Sequence, residues 1–228
     1  MLIDIHSHII PFVDDGCKSL EEMDLMLNKY ISIGVKRIIA TPHFELMPLR
    51  SHPTVNLLES FDLLKRYIKD NNMPLEVYLG AEIAYSKGIA QALMQKKVNS
   101  LNNSKYILLE LYDIDVDSEI EEIFYEMSVA GYQIVIAHLE RYHSLEPKKV
   151  KFIKDLGIKI QINASAVLQK SIQKKIFKLI SLGYIDFVAS DVHFTRENNF
   201  LEAFNLLKKK FKGKAEKLFA DNAEIFFI

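Results

Sequence analysis

Cysteine occurs once in the 228 residues, at Cys17, so no disulfide can form within the chain and a Cys₄ or Cys₂His₂ zinc site is excluded. An excess of one charge is also missing: 29 Lys and Arg stand against 30 Asp and Glu, a formal net charge of −1. That balance argues against nucleic acid as a partner, while leaving room for a small cationic cleft. No apolar run approaches the roughly 20 residues of a membrane helix, so membrane insertion is not expected. The opening Met1-Leu2-Ile3-Asp4 has neither a basic segment nor an apolar signal core. Low-complexity tracts, clear internal repeats and Pro/Gly/Ser linkers are lacking too. The expectation is a cytoplasmic protein with one domain over residues 1–228, in which 49% hydrophobic residues supply a substantial core.

What the chain does contain is an alternation of short apolar runs and longer amphipathic stretches. Runs at 2–5, 37–40, 76–79, 106–109, 133–137, 159–162 and 187–189 are rich in Ile and Val, as buried parallel strands are. Ser19-Leu20-Glu21-Glu22 carries a capping-box pattern and opens a helix that would bury Met23, Met26, Leu27 and Tyr30 and stop at Gly34. Further helices are expected over 54–70, 118–130, 147–156, 171–182 and 196–212, with a short one within 88–97. Helix and strand alternating about seven times describe parallel β/α units. Either a closed barrel or an open doubly wound sheet fits this periodicity.

The polar residues decide between the two. His6 and His8, His43, Glu82, Glu110, His138, and Asp191 with His193 follow successive strands. In a barrel all those strand ends converge on one mouth, whereas an open sheet would spread them along an edge. His6-Ser7-His8 on an extended backbone points both imidazoles to one side, and Asp191-Val192-His193 repeats the spacing at the last strand. First and last strands are neighbours in a closed barrel. Taken alone, each residue has a plainer reading: a rim salt bridge for either glutamate, a turn for Asp14-Asp15-Gly16, a pair with Glu140 for Arg141. Together they are too many for one metal ion, which typically takes three protein ligands and a water. Two or three divalent ions would use them, with Zn, Mn and Fe all suited to mixed imidazole and carboxylate donors. Such clusters act on phosphoesters, and Arg141 is the candidate for binding phosphate.

These residues stand in runs that resemble the polymerase and histidinol phosphatase (PHP) superfamily. The runs are Asp4-Ile5-His6-Ser7-His8, Val13-Asp14-Asp15-Gly16, Ala40-Thr41-Pro42-His43, Gly80-Ala81-Glu82-Ile83, Ala137-His138-Leu139-Glu140-Arg141-Tyr142 and Phe187-Val188-Ala189-Ser190-Asp191-Val192-His193. More narrowly, the chain resembles the manganese-dependent protein-tyrosine phosphatases of the CpsB/YwqE type, from capsule and exopolysaccharide biosynthesis. The resemblance implies a distorted, TIM-like (β/α)7 barrel. It also implies one metal on His6, His8, Glu82 and Asp191, a second on Glu82, Glu110 and His138, and a third on Asp15, His43 and His193. Manganese is the first choice, with iron or zinc also compatible, and Arg141 is implied as catalytic. The implied reaction is attack by a metal-bridging hydroxide on the phosphorus of phosphotyrosine. The implied partner is the C-terminal tail of a polysaccharide chain-length tyrosine kinase. Leu139 and Cys17 stand where this branch usually has proline. Cys17 is no classical phosphatase nucleophile, because Met23 occupies the arginine position of a Cys-x₅-Arg motif.

His52 and His143 match no ligand position and are expected at the surface. Residues 45–53 are long enough for a rim. Lys208, Lys209, Lys210, Lys212, Lys214 and Lys217 describe a solvated helix face, or a dock for an acidic peptide. The apolar end 225–228 packs on the body or on a second subunit, leaving an oligomer open. Two alternatives to a protein phosphatase stay open at this point: a small-molecule phosphatase such as histidinol-phosphatase, and a metal-stabilised protein that binds a kinase tail without turning it over.

Overall fold

A computed structural model of the chain describes residues 1–46, 55–112, 116–142 and 145–228, without the side chains of 116 and 117. His52, His143, most of the 45–53 rim and the expected helix start at 54 lie outside the described residues. All seven expected strands form: β1 (Leu2–Ser7), β2 (Val35–Ala40), β4 (Glu76–Leu79), β6 (Tyr106–Glu110), β7 (Gln133–Ile136), β8 (Lys159–Asn163) and β9 (Phe187–Ala189). Two more, β3 (His43–Phe44) and β5 (Glu82–Ala84), continue β2 and β4 past a break. Pro42 has no N–H to give to a ladder, which interrupts the first pair of strands. Gly80 interrupts the second; a Cβ there would lie 3.0 Å from Ile39 Cγ2 and 3.1 Å from Leu101 Cδ2. The ladder nevertheless runs on, since β2 pairs with β4, β3 pairs with β5, and the Glu82 N–H donates to Pro42 O at 3.1 Å.

Every pairing is parallel, and the order β1-β2-β4 joins β3-β5-β6-β7-β8-β9 through those broken strands. The ring closes where Ser7 bridges Val192, with His8 N–H donating to Val192 O at 3.1 Å and Asp191 N–H to His6 O at 2.9 Å. The architecture is therefore a distorted α/β barrel, as the polar strand ends require.

The outer layer consists of α1 (Leu20–Ser32), α2 (Leu57–Asp70), α3 (Ile89–Met94), α4 (Val116–Val129), α5 (Pro147–Asp155), α6 (Ala164–Leu168), α7 (Lys170–Leu182), α8 (Phe200–Lys210) and α9 (Lys214–Phe219). Ser19 caps α1 by accepting from the Glu22 N–H at 3.1 Å, and the helix buries Met23, Met26, Leu27 and Tyr30 as its spacing predicts. Several differences concern the last third of the chain, the short unexpected helix α6 among them. Helix α8 begins at Phe200, not at 196, because Asn198 Oδ1 takes the Phe200 N–H at 3.1 Å and frees 194–199 as a loop at the barrel mouth. Helix α9 was not expected; Gly213, at φ +74, turns the chain into it. The lysines there are largely a solvated face with local partners. Lys208 reaches Glu216 at 3.5 Å, Lys210 lies 4.7 Å over the Phe177 ring, and Lys214 donates to the Ile180 and Ser181 carbonyls.

Inside the barrel, Ile3, Ile5, Ile39, Leu108, Val135, Ala137, Phe187 and Ala189 pack into one cluster. Its floor is the segment Asp221–Phe226, a 3₁₀ helix. Phe226, 1% exposed, meets the Phe187 ring at 5.2 Å and the Tyr106 ring edge-on at 5.4 Å. Phe227 lies under the Arg37 guanidinium, 4.3 Å away, while Arg37 pairs with Glu224. The apolar end thus packs on the body, apart from the exposed Ile228. Replacing the floor ring, Phe226→Ala, is expected to cost about 3–5 kcal/mol of unfolding free energy, as for a large buried aromatic, read from the midpoint of urea denaturation.

Candidate metal centre

A regular β1 would place His6 and His8 on the opposite face from Ile3 and Ile5, outside the barrel. The register prevents this: Asp4 lies opposite Ile38 and Ser7 opposite Ala40, so β1 carries one extra residue between them. That bulge turns the two imidazoles into the mouth while the isoleucines stay in the core. Strands β6 and β9 need no such device, because Leu108 and Glu110, and Ala189 and Asp191, already share a face. His138 follows β7 at φ +30 and Asp191 follows β9 at φ +50, both left-handed and costly for residues with a side chain.

The result is a buried cluster around Glu82. Its Oε1 is 2.6 Å from His138 Nε2. Its Oε2 lies 3.3 Å from His6 Nε2, 3.3 Å from His8 Nε2 and 3.0 Å from His43 Nδ1. Asp191 Oδ1 is 3.5 Å from both His6 Nε2 and His8 Nε2, which are 3.2 Å apart. Glu110 Oε1 lies 3.6 Å from His138 Nε2. His193 stacks on His8 with ring centres 4.1 Å apart. Three sets of donor atoms each fall within 4.8 Å of one another: His6, His8, Glu82 and Asp191; His43, Glu82 and Glu110; His8, His43 and His193. All nine residues singled out by the strand ends and the Asp15 loop meet here.

The two adjacent aspartates part company. Asp14 is buried, takes the His8 Nδ1 proton at 2.8 Å, and accepts from the Gly16 and His43 N–H groups at 2.9 and 3.2 Å. Asp15 is 54% exposed and stands 3.4 Å from both His43 Nε2 and His193 Nε2. Asp14 therefore orients His8 from behind, while Asp15 faces the open side of the cluster. Gly16 is obligatory here, for a Cβ would fall 2.1 Å from His8 Cβ.

The hydrogen bonds fix which nitrogen of His8 and of His193 faces inward. His8 Nδ1 is held by Asp14, and His193 Nδ1 lies 3.1 Å from the Asp191 carbonyl. In each case Nε2 is left pointing into the cluster. Two buried atoms there, Glu82 Oε2 and His193 Nε2, have only the close approaches given above and no well-directed hydrogen bond among the described residues. Buried polar atoms are rarely left so. Donors about 3.0–3.5 Å apart are what surround a cation at ligand distances of about 2.1 Å. The donor set thus fits divalent metal ions.

Electrostatics agree. Burial alone would push the imidazoles down, but Glu82 and Asp191 beside His6, and Asp14 beside His8, outweigh it and hold both above the ordinary histidine value. His43 is raised likewise by Asp15 and Glu82 against its own burial. Burial would raise Glu82 and Asp191, yet the surrounding imidazoles, His6 first, hold both well below the carboxylate range. His193 goes the other way, to about 4, because burial and the neighbouring His8 both disfavour its charge.

Arg141, in the turn Leu139–Arg141, does not pair with Glu140. Its guanidinium donates to Asp191 Oδ2, with the side chain 42% exposed at the mouth. Arg196 Nη1 approaches the same oxygen at 3.4 Å from the loop before α8 and is 46% exposed. Helical spacing in the sequence predicts Arg196 at the start of a helix and not at this centre. Its position three residues after His193 was the available signal.

Residues 2–227 match the family described as capsular polysaccharide synthesis, CpsB/CapC. The chain is 32% identical to the tyrosine-protein phosphatase YwqE of Bacillus subtilis (strain 168), across 98% of this chain and 91% of the relative. It is 31% identical to the tyrosine-protein phosphatase CpsB of Streptococcus agalactiae serotype III (strain NEM316), across 98% and 97%. A solved structure from work on YwqE of B. subtilis and CpsB of Streptococcus pneumoniae, described as metal-dependent tyrosine phosphatases, superposes with a TM-score of 0.87. It is 28% identical, covering 99% of this chain and 94% of that one. A histidinol phosphate phosphatase from Lactococcus lactis shares the fold, with a TM-score of 0.60 at 13% identity, over 92% and 93% of the two chains.

Carboxylates beside His6, His8 and His43 raise their affinity for protons, so a cation competes with protons for these imidazoles. Metal affinity is therefore expected to fall as pH is lowered, with protons released on binding. Titration calorimetry of divalent metal into the metal-stripped chain, in buffers of different ionisation enthalpy, reads this directly. Heats independent of buffer would contradict that competition.

Proposed function

The chain belongs to the CpsB/CapC family of capsular polysaccharide synthesis, and from that premise we propose that it is a metal-dependent protein-tyrosine phosphatase. The observation that carries this reading is the double use of Asp191. Its Oδ1 faces the His6 and His8 Nε2 atoms, and its Oδ2 holds Arg141 and Arg196. A phosphate-binding pair of guanidiniums is thereby set against a metal-binding cluster.

In this reading His6, His8, Glu82 and Asp191 hold one ion, Glu82, Glu110 and His138 a second, and Asp15, His43 and His193 a third. Manganese is the first candidate, with iron or zinc next. Such ions polarise phosphoryl oxygens and lower the pKa of water. Arg141 and Arg196, half exposed at the mouth, turn from Asp191 to the incoming phosphoryl group and orient it. Charge that builds on the phosphoryl oxygens meets two cations that never lose their protons. The leaving tyrosinate, of pKa about 10, needs little help from an acid. Phe194 and Tyr112, 40% and 52% exposed, follow β9 and β6 at the mouth and offer apolar surface to a tyrosyl ring.

No thiol takes part. Cys17 is buried and its pKa is pushed up to about 12 by that burial, so it stays a neutral thiol. The substrate we propose is the phosphorylated tail of a polysaccharide chain-length tyrosine kinase, met in the cytoplasm. Among the described residues, no helix is long and apolar enough to cross a membrane.

Phosphotyrosine peptides, phosphoserine peptides and histidinol phosphate, assayed with the metal-loaded chain with and without chelator, test the reading. Chelator-sensitive turnover preferring phosphotyrosine is expected; faster release from histidinol phosphate would replace the substrate class. Arg141→Ala should lower kcat by about 10²–10³-fold, comparable to losing one transition-state donor. Unchanged turnover in that variant would remove the arginine from the mechanism. Cys17→Ala should stay within about twofold of the parent, and a dead but folded Cys17→Ala would point to thiol chemistry instead.

A further inference from the structure

Strand β8 lends no imidazole and no carboxylate to the cluster, yet its two inward positions are polar. Gln161 and Asn163 alternate with Ile160 and Ile162 and are both buried, Gln161 completely. Carboxamides in such a place are costly unless every polar atom is used. They are used in one continuous chain. Gln161 Oε1 accepts the His138 N–H at 2.7 Å and lies 3.3 Å from His6 Nδ1. Gln161 Nε2 donates to Asn163 Oδ1 at 2.9 Å, and Asn163 Nδ2 donates to Asp191 Oδ2 at 2.8 Å. The Asn163 N–H faces both oxygens of Glu140, at 3.2 and 3.3 Å.

The polarity of this chain is not free to reverse. A backbone N–H can only donate, so the Gln161 atom facing His138 must be oxygen, and its amide nitrogen must face Asn163. Asn163 then presents oxygen to Gln161 and nitrogen to the Asp191 carboxylate. The same oxygen of Gln161 demands a proton on His6 Nδ1, which leaves His6 Nε2 for the cluster. Two of the three residues reached, His138 at φ +30 and Asp191 at φ +50, stand in backbone conformations that need outside support.

We propose that Gln161 and Asn163 are positioning residues for the metal centre. One amide relay sets the tautomer of His6, braces the left-handed turn at His138 and holds Asp191 so that its other oxygen faces the metal. His6 and Asp191 belong to one proposed ion and His138 to the next, so the relay links the two positions. This rests on the metal-binding part of the reading above and not on the substrate.

Removing an outer hydrogen-bond partner of a metal ligand typically costs 10–100-fold in metal affinity. Gln161→Met keeps the shape and loses the relay; its affinity for Mn²⁺ should fall by about that factor. Gln161→Glu keeps an acceptor for both the His138 N–H and His6 Nδ1 but loses the donor to Asn163, so it should recover only the His6 and His138 part of the loss. Asn163→Ala should lower affinity by freeing Asp191. The measurement is calorimetric titration of Mn²⁺ into the metal-stripped full chain, with metal counted per chain and circular dichroism of the metal-free protein as the folding control. A folded Gln161→Met that binds Mn²⁺ like the parent overturns the proposal. If Gln161→Met does not fold, parental affinity in Asn163→Ala overturns it. A parent chain that binds no divalent ion would sink the metal reading itself, which is a distinguishable failure.

Discussion

A carboxylate buried at the centre of the barrel mouth governs this structure. Glu82 is 1% exposed, and an isolated charge at such depth would be prohibitive. Its two oxygens are surrounded instead by four imidazoles, from β1, from the β2–β3 break and from the end of β7. Those imidazoles cannot gather unless the strands bearing them close into a ring. The seam between β1 and β9 is therefore tied to the same centre, through Asp191 and its backbone bond to His6 O. A cluster this rich in charge is also a cluster that wants a cation, since the imidazoles and carboxylates otherwise compensate one another only by holding extra protons.

The irregularities of the barrel serve that centre. Strands broken at Pro42 and Gly80 release His43 and Glu82 to turn inward, and the bulge in β1 lets apolar core residues and mouth-facing imidazoles follow one another along one segment. Left-handed turns at His138 and Asp191 do the same at the ends of β7 and β9. Regular strands would have packed better and held fewer ligands. Strain of this kind persists only where the surroundings hold it, and here they are polar: Asp14 behind His8, Gln161 behind His6 and His138, Asn163 behind Asp191.

Opposite the mouth the requirements are ordinary. Phe226 and Phe227 close the floor by ring packing, and helices α1 to α9 cover the outside with apolar stripes. Function is thus concentrated at one end of the barrel and stability at the other, as parallel β/α barrels permit. At the mouth, two half-exposed guanidiniums share one carboxylate, that of Asp191.

The sequence by itself determined the seven strands, the capped first helix and the nine polar residues that meet at the barrel mouth. Each of those signals is local: β-branched runs, a Ser-x-x-Glu cap, and polar residues at the ends of apolar strands. Only the tertiary structure decided which aspartate of the Asp14–Asp15 pair lies behind His8 and which faces the cluster. The same holds for the bulge that turns His6 and His8 inward, for Arg196 joining Arg141, and for β8 contributing amides and not ligands. These depend on contacts such as His6 with Gln161, 155 residues apart in the chain. No periodicity along the sequence encodes such a contact, because it exists only once the first and last strands have met.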